Sequence, residues 1–212
     1  MKLYSFFRSS AAYRVRIALN LKNIPYETTS IHLSKEGGLN RRPEFKAVNP
    51  QMRVPALTDS SGDILTQSLA IIEYLDETFP EPPLLPADAL ERAHVRAIAQ
   101  TIACDIHPLN NTSPLRYLKH QLKHEQSEID EWYRHWVSEG FEAIEAMITP
   151  GPYVCGPRVT LADLCLVPQV YNARRFKVPV EEKYPKIAAA DAACMKLAAF
   201  DKARPERQPD AE

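Results

Sequence analysis

Residues 2–22 hold the stretch that decides the fold, KLYSFFRSSAAYRVRIALNLK. The strand-like run at 2–7 predicts a β-strand, and the spacing of apolar residues after it predicts a helix over 10–22. Ser9 and Ser10 fall where the strand gives way to the helix. Their hydroxyls and the free N–H groups at the positive end of the helix dipole would form a spot that favours an anion.

The anion at this spot could be a phosphate, a carboxylate or a thiolate, or the serines could simply cap the helix. Residues 1–36 contain no glycine, which makes phosphate the weakest choice because phosphate-binding loops depend on glycine. Residues 1–103 contain no cysteine, so a thiolate at this spot would have to arrive on a cofactor. Three nearby cations, Arg8, Arg14 and Arg16, favour anion binding over a purely structural cap.

The elements that follow complete a small α/β domain. They are a strand over 27–33, a short helix near 41–46, hairpin strands at 54–58 and 63–66, and a helix over 68–79. The order βαβ, connection, ββα within about 80 residues is that of a thioredoxin-like domain. Pro55 fits the start of a strand because it cannot donate a ladder hydrogen bond, and a cis bond there would leave the peptide group of Val54 free for a peptide-like ligand.

Residues from 89 onward predict only helices. Prolines at 80, 82, 83 and 86 form a stiff linker before them. Helical patterns cover 89–122 with a bend at His107-Pro108, then 127–148 and 186–200. The sequence TLAD at 160–163 is a capping box whose acid we expect to be structural rather than catalytic. The predicted organisation is a thioredoxin-like domain at 1–83 and an all-α domain at 89–212.

Composition excludes several functional classes. The 212 residues carry a net charge of -1, which gives no strong field for nucleic acid. We find no apolar stretch of about 18 residues and no basic-then-apolar leader, so we expect no membrane span, no secretory signal and a cytoplasmic location. The four cysteines form neither a Cys-x-x-Cys motif nor a metal-like pairing with the six histidines, so we expect neither disulfides nor a metal site.

Several motifs together identify a family. The specific ones are SSxxxRVRIAL at 9–19 and LVPQV at 166–170, and they occur with NP at 49–50, VP at 54–55, QS at 67–68 and NAxRF at 172–176. Over essentially the whole chain, this pattern resembles the zeta class of the cytosolic glutathione transferases. The resemblance implies an α/β thioredoxin-like domain followed by an all-α helical domain, glutathione as cofactor, and a homodimer.

The resemblance also implies roles in the first domain. Val54 would pair its backbone with the cysteinyl part of glutathione, and Gln67 and Ser68 would take the γ-glutamyl carboxylate at a helix N-terminus. Ser9, with Ser10 as second choice, would hold the glutathione sulfur. Hydroxyl donors and a helix N-terminus lower a thiol pKa from about 8.5, which makes the thiolate available near neutral pH.

Other implied positions lie in the helical domain and beside the serines. His107, Asn111 and Ser113 would close the glutathione site, His107 either as a general base or only as a hydrogen-bonding contact. Ala11 is a departure, because the family usually has cysteine at this position of the motif. The departure puts in doubt the side activities attributed to that thiol.

The activity that the resemblance implies is glutathione-dependent cis–trans isomerisation of maleylacetoacetate to fumarylacetoacetate in aromatic catabolism. A thiolate adds to the cis-enone, the former double bond rotates, and the thiolate leaves. Arg8 and Arg175 would hold the two acidic ends of the substrate, and Arg174 could share this role. The alternatives are isomerisation of the related diacid maleylpyruvate, general glutathione conjugation, and a non-catalytic binding protein with the same fold.

Overall fold

The computed structural model describes the whole chain, Met1–Glu212. The chain divides into two compact units. The first consists of Met1–Pro83 together with Met195–Glu212, and the second consists of Leu84–Cys194. None of the helices combines the length and the apolar composition that a membrane span requires.

A four-stranded mixed sheet lies at the centre of the first unit. Its strands are β1 (Lys2–Ser5), β2 (Glu27–Ser30), β3 (Ala56–Thr58) and β4 (Ile64–Thr66), in the order β2-β1-β3-β4. β1 pairs with β2 in parallel, whereas β3 is antiparallel to both β1 and β4. This topology confirms the predicted thioredoxin-like domain, and the Val54-Pro55 peptide bond is cis.

Eleven α-helices accompany the sheet. In chain order they are α1 (Ser10–Leu21), α2 (Pro43–Val48), α3 (Ser68–Thr78), α4 (Ala89–Gln100), α5 (His107–Asn110), α6 (Thr112–His120), α7 (Gln126–Met147), α8 (Leu161–Arg175), α9 (Val180–Lys183), α10 (Pro185–Cys194) and α11 (Ala198–Ala203). The short 3-10 turns are Lys35–Gly37, Leu39–Arg41 and Pro205–Arg207, and a π-helical segment occupies Thr101–Ile106. The second unit therefore contains the predicted helical domain.

The strands are shorter than the sequence predicts. β1 ends at Ser5 rather than at residue 7. The Arg16 guanidinium donates to the carbonyl groups of Phe6 and Phe7, so these groups bind Arg16 instead of a neighbouring strand. β3 starts at Ala56 rather than at residue 54, because Pro55 has no N–H group to offer a neighbouring strand.

The bend predicted at His107-Pro108 begins one turn earlier. Residues Thr101–Ile106 are π-helical, and the His107 N–H group donates to the Ile102 carbonyl five residues back. Pro108 cannot donate to the carbonyl four residues back, that of Cys104, and its ring would clash with that carbonyl in an α-helix. The wider π-helical turn avoids this clash.

The capping box at Thr160 and Asp163 is present at the start of α8. Asp163 is fully buried. Its carboxylate accepts the Val154 N–H at 2.9 Å, the Thr160 N–H at 2.8 Å and the Thr160 hydroxyl at 3.0 Å. These contacts fit the structural role expected from the sequence.

The predicted helix over 186–200 is in fact two helices, α10 and α11, and the second belongs to the first unit. Side chains of α1 bind this C-terminal segment. The Asn20 amide donates to the Ala199 carbonyl at 3.0 Å, and the Arg16 Nε donates to the Ala203 carbonyl at 3.0 Å. Residues 195–212 therefore belong to the thioredoxin-like unit and not to the all-α domain predicted at 89–212. The reason is that Asn20 and Arg16 of α1 donate hydrogen bonds to their backbone carbonyls.

Candidate active site

The predicted site residues of the first unit come together at one edge of the sheet. The register aligns Tyr4 of β1 with Ala56 of β3, and Ala56 with Thr66 of β4. Because β3 runs antiparallel to its two neighbours, residues after β1, before β3 and after β4 all lie at the same edge. These are the segments that carry Ser9, Val54 and Gln67.

Ser9 is the N-cap residue of α1. Its backbone is extended, with φ of -69° and ψ of 113°, and its Oγ accepts the Ala12 N–H at 3.2 Å. Since that bond uses only a lone pair, the Ser9 hydroxyl can still donate its hydrogen. Ser10 begins the helix and is buried, and Ala11 follows it and is half-buried. The arrangement is the anion-favouring helix start predicted from the sequence.

The three arginines near this helix start have different surroundings. Arg8 is exposed, with its guanidinium 4.9 Å from the centre of the Phe7 ring. Arg14 is buried, and its Nη1 donates to the Ser68 hydroxyl at 3.3 Å. Arg8 is thus the arginine of this group that can offer its charge to a ligand in solvent.

Arg16 is fully buried and serves the interior of the fold. Its guanidinium donates to four oxygens, those of the Ser5 hydroxyl and of the Phe6, Phe7 and Ala203 carbonyls. Burial lowers the pKa of Arg16 to about 10. Arg16 stays cationic at neutral pH beside the turn that precedes Ser9, but its guanidinium cannot contact a bound anion directly, because it already donates to these four oxygens.

Val54 packs beside the turn that precedes Ser9. It belongs to the apolar cluster of Phe6, Phe7, Ile31 and Phe45. Its peptide group lies outside the β-ladder, since β3 begins two residues later. A peptide-like ligand could therefore extend the sheet by pairing with Val54.

Gln67 and Ser68 form the start of α3. Gln67 has a φ of 69°, a left-handed conformation that is uncommon for residues other than glycine and is often found at binding sites. Ser68 is buried and accepts the hydrogen bond from Arg14. The N-terminus of α3 is thereby fixed to α1 and can accept a carboxylate.

Gln51 is a residue of this site that the sequence analysis missed. Its Oε1 accepts the Gln67 side-chain amide at 2.8 Å. Asn49 shapes the loop that carries Gln51, because its amide donates to the Arg53 carbonyl at 2.6 Å and its Oδ1 accepts the Gln51 N–H at 3.0 Å. The Asn49-Pro50 motif could have indicated an ordered loop just before Val54.

The helical unit holds the other candidates. His107 is half-buried at the start of α5, Asn111 caps α6 by accepting the Thr112 N–H at 2.7 Å, and Ser113 is exposed in the first turn of α6. These three residues lie within seven positions of the chain, on either side of the break between α5 and α6. Their role in ligand binding stays a prediction.

Arg174 and Arg175, at the end of α8, differ in their partners. Arg174 pairs with Asp191 at 2.6 Å and with Glu181 at 2.8 Å, so its charge stabilises the fold. Arg175 is exposed, and its Nη1 lies 3.4 Å from the Asn172 Oδ1. Of the two, Arg175 is the better candidate for contact with a substrate.

Comparison with known proteins identifies the family. Residues 3–83 match the family model for the glutathione S-transferase N-terminal domain, and residues 127–189 match that for the C-terminal domain. The chain belongs to the glutathione transferase family.

Individual glutathione transferases resemble this one over their whole length. A probable maleylacetoacetate isomerase of Vibrio cholerae is 50% identical, with 99% of this chain and 97% of the relative covered. A maleylpyruvate isomerase of a Ralstonia species is also 50% identical, with 99% of both chains covered. A solved holo structure of maleyl pyruvate isomerase, described as a bacterial glutathione transferase of the zeta class, has a TM-score of 0.96 at 50% identity and full coverage of both chains. The zeta-class resemblance stated from the sequence is confirmed.

The cysteines of this glutathione transferase differ in their exposure. Cys165 and Cys194 are buried, Cys155 is half-buried and Cys104 is exposed. Burial raises the pKa of Cys155 to about 12 and raises that of Cys194 as well. Since the thiolate is the reactive form, a raised pKa suppresses reactivity near neutral pH.

We therefore predict that iodoacetamide near neutral pH alkylates Cys104 first and leaves the other three thiols largely unmodified. Peptide mass spectrometry over a time course measures this order. A Cys104→Ser variant serves as the control and should show almost no early modification. Early alkylation of Cys155 in the folded protein would contradict the prediction.

Proposed function

We propose that this glutathione transferase catalyses the glutathione-dependent cis–trans isomerisation of maleylacetoacetate to fumarylacetoacetate. The observation that carries the proposal is the convergence of the Ser9 cap, the Val54 peptide group and the Gln67-Ser68 helix start at one edge of the sheet. The 50% identity with a probable maleylacetoacetate isomerase supports it.

The residues present suit glutathione. A hydroxyl at a helix N-terminus suits a thiolate, a peptide group outside the ladder suits a peptide, and the start of α3 suits a carboxylate. A related maleylacetoacetate isomerase of Methylobacterium extorquens, 38% identical with a TM-score of 0.95, was solved with malonate and GSH bound. Bound glutathione supplies the thiolate that adds reversibly to the cis-enone and allows the double bond to rotate.

The residues of this chain hold and orient the reactants. The Ser9 hydroxyl donates to the sulfur and, with the positive end of α1, lowers the thiol pKa. Ser10 and Ala11 complete the first turn of α1. Arg8 attracts an acidic end of the substrate with its exposed charge. We further propose that Arg175 contacts the substrate and that His107, Asn111 and Ser113 contact glutathione, each to be tested by substitution.

A cis-enone absorbance assay tests the function directly. Purified protein is mixed with glutathione and maleylacetoacetate, and loss of the cis-enone absorbance is followed with and without glutathione. We expect loss that depends on both protein and glutathione, with fumarylacetoacetate as the product. No change with glutathione would reject the isomerase, and a stable glutathione adduct would indicate a conjugating transferase instead.

Maleylpyruvate is the second candidate substrate. The Ralstonia maleylpyruvate isomerase is as similar to this chain as the Vibrio protein, at 50% identity. The same assay with maleylpyruvate ranks the two diacids by kcat/KM. We expect maleylacetoacetate to give the higher value. The reverse order would reassign the substrate while leaving the reaction type unchanged.

The exposed charge of Arg8 leads to a testable prediction. Arg8→Gln should raise KM for the diacid by about tenfold, because a charged contact to a carboxylate contributes roughly 1.5 kcal/mol or more, and should leave KM for glutathione nearly unchanged. Steady-state kinetics with each reactant varied in turn measures both constants.

Arg174→Gln provides the matched control for Arg8. Its charge is already paired with Glu181 and Asp191, so the substitution should lower thermal stability without changing KM for the diacid. Equal KM values in Arg8→Gln and wild type would remove Arg8 from the substrate site.

The assembly and the location are also proposals. We propose a homodimer in the cytoplasm, as in the zeta class, acting on small molecules and binding neither nucleic acid nor membranes. The near-neutral net charge of -1 supports the absence of nucleic-acid binding. Sedimentation equilibrium tests the dimer, and a mass of one chain at micromolar concentration would contradict it.

A further inference from the structure

A tight turn carries the Ser9 hydroxyl to its position. The turn spans Phe6–Ser9 and is closed by the Ser9 N–H donating to the Phe6 carbonyl at 2.9 Å. Ser9 then caps α1. The orientation of the Phe6-Phe7 peptide group therefore decides where the Ser9 side chain points.

Arg16 holds one side of this turn. Its buried guanidinium reaches the Phe6 carbonyl at 3.4 Å and the Phe7 carbonyl at 3.0 Å. The same side chain donates to the Ala203 carbonyl in the C-terminal segment. The turn and the C-terminal segment are thus fixed to one buried cation.

Asp210 holds the other side. Its Oδ2 accepts the Phe7 N–H at 3.1 Å and the Ser30 hydroxyl at 2.8 Å. The Phe6-Phe7 peptide group is therefore bound at both ends, with its carbonyl at Arg16 and its N–H at Asp210. The negative charge of Asp210 also offsets part of the desolvation of Arg16.

We propose that Asp210 is a positioning residue for catalysis, which acts through the Phe7 N–H to hold the Ser9 hydroxyl toward the glutathione sulfur. The inference rests on the proposed function in so far as Ser9 stabilises a thiolate. Asp210 lies 203 residues from Phe7 in the chain, and no motif indicates it. A displacement of even 1 Å in a catalytic group can cost about a hundredfold in rate, so a partial loosening of this turn has a measurable effect.

Two substitutions separate the parts of this contact. Asp210→Asn keeps an oxygen that can accept both hydrogen bonds but loses the charge, whereas Asp210→Ala loses both. Glu206→Gln is the matched control, because Glu206 also lies in the tail and pairs there with Arg204 at 3.5 Å. We expect the effects to rank Ala above Asn, with Glu206→Gln behaving as wild type.

The readouts distinguish positioning from simple stabilisation. For Asp210→Ala we expect the Phe7 amide to exchange hydrogen about tenfold faster, kcat to fall about tenfold, and KM for the diacid to change little. The pKa of the bound glutathione thiol should increase, as measured by thiolate absorbance against pH. The pH at which kcat reaches half of its maximum should increase with it. If Asp210 only stabilised the C-terminal segment, Asp210→Ala would lower the unfolding temperature and leave the pH dependence of kcat unchanged.

Each outcome decides one of the two proposals. Wild-type protein without glutathione-dependent isomerisation would reject the proposed function, whereas thiol titration and amide exchange still test Asp210 without any diacid. An unchanged thiol pKa in Asp210→Ala, or unchanged exchange at Phe7, overturns the positioning role even if isomerase activity is present. A raised thiol pKa with faster exchange supports it.

Discussion

Ser9→Ala is expected to lower kcat by about a hundredfold, since the removal of one hydrogen-bond donor to a developing or bound anion costs about two orders of magnitude or more. The proposed donor is the hydroxyl of Ser9, the N-cap residue of α1, whose oxygen already accepts the Ala12 N–H. Loss of the hydroxyl should also raise the pKa of the thiol of bound glutathione. Steady-state kinetics and thiolate titration measure the two effects.

Two control variants and one assay condition accompany this substitution. Ser9→Thr retains a hydroxyl at the cap and should recover most of the turnover. Ser9→Ala also removes the cap, which costs roughly 1 kcal/mol of stability, so all assays are run well below the unfolding temperature. Ala11→Cys restores the residue usual in the family and should be tolerated. Near-normal turnover in Ser9→Ala would transfer the donor role away from Ser9, with Ser10→Ala as the next variant to measure.

Arg16→Met is expected to lower the free energy of unfolding by roughly 3–5 kcal/mol, because it leaves buried carbonyl groups without donors. Those carbonyls belong to Phe7 and Ala203, whereas the Phe6 carbonyl keeps the Ser9 N–H as a donor. Methionine fills a similar volume, so the loss reports mainly on hydrogen bonding. Urea unfolding followed by circular dichroism measures the change.

Arg207→Met is the matched control for Arg16. Arg207 lies in the C-terminal segment and pairs there with Asp201 at 3.3 Å, but its side chain is 62% exposed. Exposed ion pairs contribute about 1 kcal/mol or less. Similar losses in the two variants would mean that the buried hydrogen bonds of Arg16 contribute little to the stability of the first unit.

The sequence predicted those parts of the fold that depend on local chemistry. Serines before an apolar helix and a proline before a strand each restrict the backbone near them, and the first unit has the predicted order of strands and helices. The same local rules placed Ser9 and Gln67 correctly just before α1 and α3, whereas Val54 was predicted inside β3 and lies two residues before it. The sheet topology then brings these ends to one edge.

Long-range contacts explain what the sequence did not predict. A pattern of residues does not distinguish a buried arginine from an exposed one, so Arg16 was grouped with Arg8. The break between α10 and α11 has no glycine or proline to mark it, since it depends on partners in α1. Asp210 binds a turn 203 residues away, which no local signal could reveal.

The return of Met195–Glu212 to the first unit has a consequence for biosynthesis. A ribosome releases residues 1–83 well before Ala203 exists, so the Arg16 guanidinium first meets a nascent chain that lacks one of its acceptors. The helical unit, Leu84–Cys194, is synthesised in between as one contiguous segment. The order of synthesis therefore differs from the order of completion, and the domain that begins first finishes last.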